Sequence, residues 1–378
     1  MPIKLLFSQH KNQQRALYIK DGHAIDADLC WPALQNNDDI YLDQIFWGRV
    51  LSVYSTHAYI KLSKNQIGIL PTETSFPKLH EGQSVLVQVR REAIPDKGTK
   101  NKGPVLSQKI VLAGRYCLYH PFQQKRHVSS KINDPAALKR LQDMFSDKEP
   151  ITIRESAAQV PYEQILHEVE DLRRTFNEIN LQHQRAPSLT PYTALSTSQR
   201  WLRDLEVLPD NEIFVDNPIL FKVVHNFLET HRPDLLPHIH KVRSNLIEEY
   251  GFEEFWDSLS EDVIAVPGGG NVVFDITAAA VVIDVNEGEQ DQFESNKSAI
   301  PVIIQQLKCR HLGGNIVIDF MGLDSSRELS KSLIDQLKHY AEFYNLPLDI
   351  FGWSKLGWLE ARLPKRRRPI PARLMMGN

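Results

Sequence analysis

Two hydrophobic periods alternate along this chain, and the change from one to the other marks its parts. From Asp39 to about Gly114 the period is two. Phe46-Trp-Gly-Arg-Val-Leu-Ser-Val-Tyr54, Ala58-Tyr-Ile-Lys-Leu62, Ile67-Gly-Ile-Leu70 and Ser84-Val-Leu-Val-Gln-Val-Arg90 are short apolar runs separated by turn residues. Several such strands close together predict a small β-barrel, with residues 92–104 as a basic, glycine-containing hairpin tip. Ahead of it, Ile3–Phe7 and Arg15–Ile19 predict a strand pair, followed by a Lys20-Asp-Gly22 turn and a polar tail.

Beyond residue 115 the helical period appears. Ile165, Leu166, Val169, Leu172, Phe176 and Ile179 fall on one face of a helix over 162–183. Pro150–Arg154 and Glu212–Val215 read as strands, Ile219–His231 as a helix, and Ala186–Tyr192 as a connector. The last part alternates: strands 271–275 and 280–285, helix 295–311, strand 315–320, helix 325–344 and strand 348–352. That βαβαβ order predicts a sheet with helices packed on it.

Composition narrows the class. With 378 residues, 42% hydrophobic and 24% charged, the chain is an ordinary globular protein of several modules. No run approaches about 18 apolar residues, so no membrane span is expected. Cys30, Cys117 and Cys309 form no CxxC pair, which excludes a disulfide framework and favours a reducing cytoplasm. The net charge of -3 conceals an asymmetry: residues 41–131 hold 14 Lys or Arg against 5 Asp or Glu. Segregated positive charge suits a polyanion, because counterion release favours cations at phosphates.

Val281-Val-Ile-Asp-Val-Asn286 and Ile316-Val-Ile-Asp-Phe320 carry the clearest chemistry, since each drives an apolar strand into a carboxylate. In a right-handed strand–helix–strand unit both carboxylates sit at the carboxyl ends of parallel strands. Asp284 and Asp319 are then placed to share one divalent cation, with Asn286 beside them. A hard cation of this kind takes one or two carboxylates and fills its shell with water and substrate phosphate. On the residues alone a second reading stands equally: strand-end aspartates that cap helices or end strands in turns. Gly268-Gly-Gly270 precedes a strand, which fits a tight turn better than a phosphate cradle. No GxxxxGK[ST] motif occurs, and Lys365–Arg368 reads as an RNA contact or a solvated tail. In the barrel, Tyr59 is a candidate stacking platform or a core residue. Ile69 is a strand residue that would contact a ligand only beside such a platform, and Lys102 a phosphate contact or a solvated lysine.

These motifs resemble those of the RNase E/G family of bacterial endoribonucleases, over nearly the whole chain. The similarity is carried by Ile283-Asp-Val-Asn286, Leu312-Gly-Gly-Asn-Ile-Val-Ile-Asp-Phe320 and Lys355-Leu-Gly-Trp-Leu-Glu-Ala-Arg362. Gly68-Ile-Leu-Pro71, Leu112-Ala-Gly114, Ile153-Arg-Glu-Ser-Ala157 and Val215-Asp-Asn-Pro218 are weaker echoes. The resemblance implies an α/β multidomain protein: an RNase H-like fold split between 1–38 and 201–260, an inserted OB-type barrel over 39–114, a 5′-sensor-like domain over 115–200 and a DNase I-like catalytic α/β domain over 261–378.

It further implies cytoplasmic, Mg²⁺-dependent cleavage of single-stranded RNA to 5′-phosphate and 3′-hydroxyl ends, in rRNA or mRNA processing or decay. One ion is expected, with Mn²⁺ as the alternative. Asp284 and Asp319 match the metal ligands and Asn286 the partner of the scissile phosphate. Tyr59, Ile69 and Lys102 match barrel contacts to RNA, and Arg154 matches the arginine that holds a 5′-monophosphate.

The departures are specific. Glu155 stands where the family has a threonine, and Glu287-Gly-Glu-Gln-Asp291 replaces a basic loop. No CPxC pair follows Arg368, so a homodimer, if formed, is not expected to be zinc-linked. The altered surroundings motivate a competing reading, a non-catalytic RNA-binding protein that keeps the fold. A metal-dependent DNA nuclease stands third, because the barrel suits flexible single strands.

Overall fold

The computed structural model describes residues 2–10, 13–30, 40–63, 65–73, 76–94, 103–185, 192, 195–243, 245–289, 291–322 and 327–370. Strands β1 (Ile3–His10), β2 (Gln13–Lys20) and β3 (His23–Cys30) run antiparallel in succession. The β2–β3 turn places Asp21 and Gly22 at φ 51° and 79°, the left-handed pair that matches the twist of a tight hairpin. The tail expected after Gly22 is therefore a third strand. Its polar look comes from Asp26 and Asp28, which are buried rather than solvated.

The next four strands, β4 (Ile45–Val53), β5 (His57–Lys61), β6 (Ile67–Pro71) and β7 (Ser84–Arg91), close into a barrel with β8 (Val105–Ser107) in the order β4-β5-β6-β8-β7. Its interior is filled by Val50, Ile60, Leu70, Val87, Val89 and Leu106. A smaller sheet follows: β9 (Leu112–Ala113), β10 (Cys117–Tyr119), β11 (His127–Val128) and β12 (Ile151–Ile153). Helices α1 (Pro135–Met144) and α2 (Tyr162–Arg185) accompany it. Glu168 of α2 accepts backbone N–H bonds from Arg115, Tyr116 and Cys117 at 2.6–2.8 Å, which pins the turn that carries Gly114.

After α3 (Thr197–Asp204) the chain returns to its first sheet. Strand β13 (Glu212–Val215) pairs parallel to β1, and β14 (Ile239–Lys241) pairs parallel to β13 across helix α4 (Pro218–His231). The five-stranded sheet β14-β13-β1-β2-β3 thus unites segments about two hundred residues apart. Leu5, Phe7, Ile213 and Val215 pack on one face with Leu220 and Val224 of α4. On the other face Leu6, Leu17 and Leu29 meet Leu246, Ile247 and Trp256, from the short helices α5 (Leu246–Glu249) and α6 (Glu253–Ser258).

The last sheet has the order β15-β16-β17-β18-β20-β19. Its strands are β15 (Val263–Ala265), β16 (Asn271–Ile276), β17 (Ala280–Asn286), β18 (Gly314–Asp319), β19 (Asp349–Trp353) and β20 (Leu359–Leu363). The strand expected at 348–352 is β19, and β20, which the sequence reading did not mark as a strand, inserts antiparallel between β18 and β19. Its strict alternation, with Leu359, Ala361 and Leu363 buried and Glu360 and Arg362 exposed, is the period of a half-buried strand. Helices α7 (Gln292–Cys309) and α8 (Arg327–Phe343) cover one face through Ile300, Ile303, Ile304, Leu307, Leu333 and Leu337. The opposite face is solvent-accessible, with Val263, Val282 and Trp358 among its exposed residues.

Two contacts join these parts. α7 lies between the six-stranded sheet and β3, where Gln305 Nε2 donates to Ala24 O and Lys308 Nζ sits 3.4 Å from Asp26. The Lys365–Arg368 run, read above as RNA contact or tail, is a strap on the barrel. Glu92 N donates to Arg366 O, and the Glu92 carboxylate accepts from Arg368 N at 2.8 Å. Ile370 N then reaches Arg310 O at the end of α7.

Burial would raise Asp26, but Lys308 and His311 outweigh it and hold the carboxyl at about 2. His311 is lowered below its ordinary value of 6.5, chiefly by burial. A depressed carboxylate stabilises the fold above its unfolded pKa and stops doing so as the pH falls through its folded one. Asp26→Asn therefore lowers stability at pH 7, and its difference from the wild type fades between about pH 4 and pH 2. A depressed histidine adds a loss below about pH 6.5, larger in this variant because the Asp26 carboxylate favours protonated His311. Urea denaturation across that range is the measurement.

Candidate active site

β17 and β18 are adjacent and parallel, in a register that sets Asp284 opposite Asp319 and Ile283 opposite Ile318. Ile283 and Ile318 are fully buried under the helices, so both aspartates are turned to the open face. Neighbouring strands lie about 4.8 Å apart, which makes the two carboxylates immediate neighbours. Asn286 Nδ2 donates to Asp284 Oδ2 at 3.1 Å and to Asn271 Oδ1 at 3.2 Å. Trp358 Nε1 donates to Asp319 Oδ2 at 3.1 Å. Each carboxylate is thus oriented by an outer hydrogen bond, as metal-binding carboxylates commonly are.

The capping alternative fails for Asp284. Helix α7 is capped by Asp291, whose side chain accepts from Phe293 N and Glu294 N. The same bonds engage Asp291 of the acidic loop, whose carboxylates Glu287, Glu289 and Asp291 are all exposed. Among the described residues no group of three or more His, Cys, Asp or Glu converges as a ready-made metal cage. The donors at this point are two carboxylates and an amide. That all-oxygen set fits a hard cation completing its shell with water and phosphate, and fits zinc or copper poorly.

The three glycines before β16 shape this rim. Gly268, Gly269 and Gly270 have φ of 88°, 88° and 81°, and they form the β15–β16 turn the sequence favoured. A Cβ on Gly270 would lie 2.5 Å from Asn286 O and 2.9 Å from Gly288 N.

In the barrel, Tyr59 and Ile69 are direct cross-strand partners, both half-buried. Tyr59 belongs to a three-ring cluster. Tyr54 and His57 stack at 5.1 Å and 17°, and each meets Tyr59 edge-on, at 5.8 and 5.1 Å. Tyr54 is 54% exposed, so the cluster presents ring surface to solvent. Lys102 lies outside the described residues.

Arg154 stands at the end of β12, and its guanidinium is engaged. It donates to Gly114 O at 2.8 Å and grips Asp204 at 3.0 and 3.3 Å. Arg203 holds the same carboxylate through two bonds of 2.8 Å. Burial would raise Asp204, but the two guanidinium groups outweigh it and lower its pKa. Glu155 is exposed and accepts from Ser129 Oγ at 3.3 Å.

Sequence reasoning missed Asn271, Trp358 and Asp204. Trp358 stood inside a quoted motif, and an aromatic residue just before an alternating strand was its visible signal. Asp204 pairs with Arg154 across 50 residues, and nothing local announces it.

Several mixed sheets and a closed barrel define a multi-module α/β protein with a pair of strand-end carboxylates on an open sheet face. The ribonuclease E/G family model matches residues 111–366, more than half of the chain, and the chain belongs to that family. It is 29% identical to ribonuclease E of Synechocystis sp. over 297 residues, 74% of this chain and 43% of that protein. Identity is 30% to ribonuclease E of Nostoc sp. over 266 residues, 65% and 38% of the two chains. It is 25% to ribonuclease G of Haemophilus influenzae over 310 residues, 77% and 61%. The chain therefore spans between two fifths and three fifths of these relatives.

Gly270→Ala forces a side chain into a left-handed backbone position and against Asn286 O. It should cost roughly 1–3 kcal/mol in urea unfolding. A Gly22→Ala control, with open space around its added Cβ, should cost less.

Proposed function

We propose that this protein is a Mg²⁺-dependent endoribonuclease that cuts single-stranded RNA and leaves 5′-phosphate and 3′-hydroxyl ends, in the maturation or decay of rRNA or mRNA in the cytoplasm. The observation that carries the reading is the in-register pair Asp284 and Asp319 on an open sheet face. Membership in the ribonuclease E/G family supports it, as do the barrel's aromatic cluster and the positive charge of residues 41–131. Among the described residues no helix is long and apolar enough to cross a membrane.

The division of labour follows from the parts. Asp284 and Asp319 would hold the cation, with Mn²⁺ as a substitute ion. A divalent cation in such a place supplies Lewis-acid activation of water and neutralises charge on the phosphate. Asn286 keeps Asp284 oriented and lies beside the scissile phosphate. Tyr59 and Ile69, with Lys102, grip the strand at the barrel through stacking and phosphate contact. The sheet shared by residues 3–30 and 212–241 supports an RNase H-like fold split in two, with the barrel and the Arg154 module as insertions and the final sheet as a DNase I-like catalytic domain.

Arg154 gives the reading a particular slant. Its phosphate-facing donors are committed to Asp204, so the protein cuts with little regard for the 5′ end. A 5′-monophosphate would have to displace a carboxylate held by two arginines.

Exposed Glu287 and Glu289 beside Asn286 favour, as the second reading, a non-catalytic RNA-binding protein. A labelled, AU-rich single-stranded RNA incubated with Mg²⁺ or EDTA separates the two, since only the enzyme gives Mg²⁺-dependent products. Asp284→Asn and Asp319→Asn should each bring cleavage to background while RNA affinity stays within about twofold. Full activity in either variant rejects the site. For the 5′ end, wild-type rates on 5′-monophosphorylated and 5′-hydroxyl substrates should agree within about twofold. Asp204→Asn should raise the monophosphate preference to roughly tenfold, the worth of one charge-assisted hydrogen bond.

A further inference from the structure

Trp358 immediately precedes β20, and its surroundings are unusual for so large an apolar side chain. Ile318 pairs with Leu359, so position 358 lies across from Asp319 at the carboxyl end of β18. The residue is held at its backbone and at its indole N–H. Ser354 N donates to Trp358 O at 2.7 Å, Ser354 Oγ accepts from Trp358 N at 3.2 Å, and the indole N–H reaches Asp319 Oδ2. Gly357, at φ 88°, makes the tight turn that delivers it there. Yet 40% of the residue stays exposed, with Leu356 and Phe351 at the same sheet edge 75% and 69% exposed. A tryptophan immobilised at its polar edge and left wet on its ring is a prepared contact surface, because buried aromatic area normally repays the cost of ordering one.

We propose that Trp358 is a substrate-binding and positioning residue of the site: its ring stacks a nucleobase next to the scissile phosphate, while its N–H holds the Asp319 carboxylate for the cation. The inference rests on the reading that RNA lies across Asp284 and Asp319. Trp358 is one strand spacing, about 4.8 Å, from Asp319. A nucleotide whose phosphate meets the carboxylates therefore brings its own base or the adjoining one over the indole. Stacking on a ring face accepts any base, so this contact grips the strand without selecting its sequence. The hydrogen bond has a separate consequence. An outer partner that fixes a ligand carboxylate typically changes metal affinity by about 10–100-fold when removed.

Two variants of the full chain split these roles. Trp358→Phe keeps a stacking ring and loses the N–H, and Trp358→Ala loses both. RNA binding is read in EDTA, where no turnover occurs, by anisotropy of a labelled single-stranded decamer and by quenching of intrinsic tryptophan fluorescence with the unlabelled oligomer. Mn²⁺ binding is read by calorimetry. Trp358→Phe should bind RNA within about twofold of wild type, lose the share of the quenching that belongs to Trp358, and bind Mn²⁺ about tenfold more weakly. Trp358→Ala should in addition bind RNA about tenfold more weakly. Unchanged quenching in Trp358→Phe, or wild-type RNA and Mn²⁺ affinities in Trp358→Ala, overturns the proposal and leaves the ribonuclease reading intact. A wild-type protein that binds no single-stranded RNA overturns both.

Discussion

The parallel pairing of β17 with β18 is the constraint on which the rest depends. Side chains alternate across a strand, so a slip of one residue would move one aspartate from the open face into the helix-covered core. What prevents the slip is the apolar half of the same strands. Val281, Ile283 and Val285 face α7 and α8, with Ile316 and Ile318 beside them, and a one-residue slip would turn one set away from the core. The hydrophobic effect, which carries no chemical information, thereby fixes where two charges meet. α7 supplies the crossover that makes the strands parallel, and Asp291 starts that helix at a definite place.

Around this pair the molecule uses polar contacts to aim rather than to bind the fold together. Asn286, itself held by Asn271, orients one carboxylate, and Trp358 holds the other. The triple-glycine turn lets the backbone of Gly269 and Gly270 approach the segment after Asn286 more closely than any side chain would allow. A similar economy of charge appears at Arg154 and Arg203, where two guanidinium groups converge on Asp204. An anion site on this protein is filled by the chain's own carboxylate.

Much of this could be read from the residues, and the parts that could not share a cause. The apolar alternation of β17 and β18, the 3.6-residue period of α2 and the turn glycines are local signals, and they gave element types and the place of the two aspartates. β3 was hidden because Asp26 is paired with Lys308 and His311, which no local pattern reveals. β20 was hidden for a similar reason. Its LEARL alternation is plain, but membership between β18 and β19 is decided by pairing across 40 residues. The hydrogen bond from Trp358 to Asp319 and the clasp on Asp204 likewise belong to tertiary structure. Period and turn chemistry speak for neighbours in sequence, and a site is assembled from neighbours in space.

The strap formed by Arg366 and Arg368 gives the protein a fixed gauge. It leaves β20, the strand that follows Trp358, and ends on Glu92 just past β7, a wall of the barrel. The interval between the barrel and the Asp284–Asp319 pair is thereby fixed by hydrogen bonds to the backbone of the strap rather than by surface side chains.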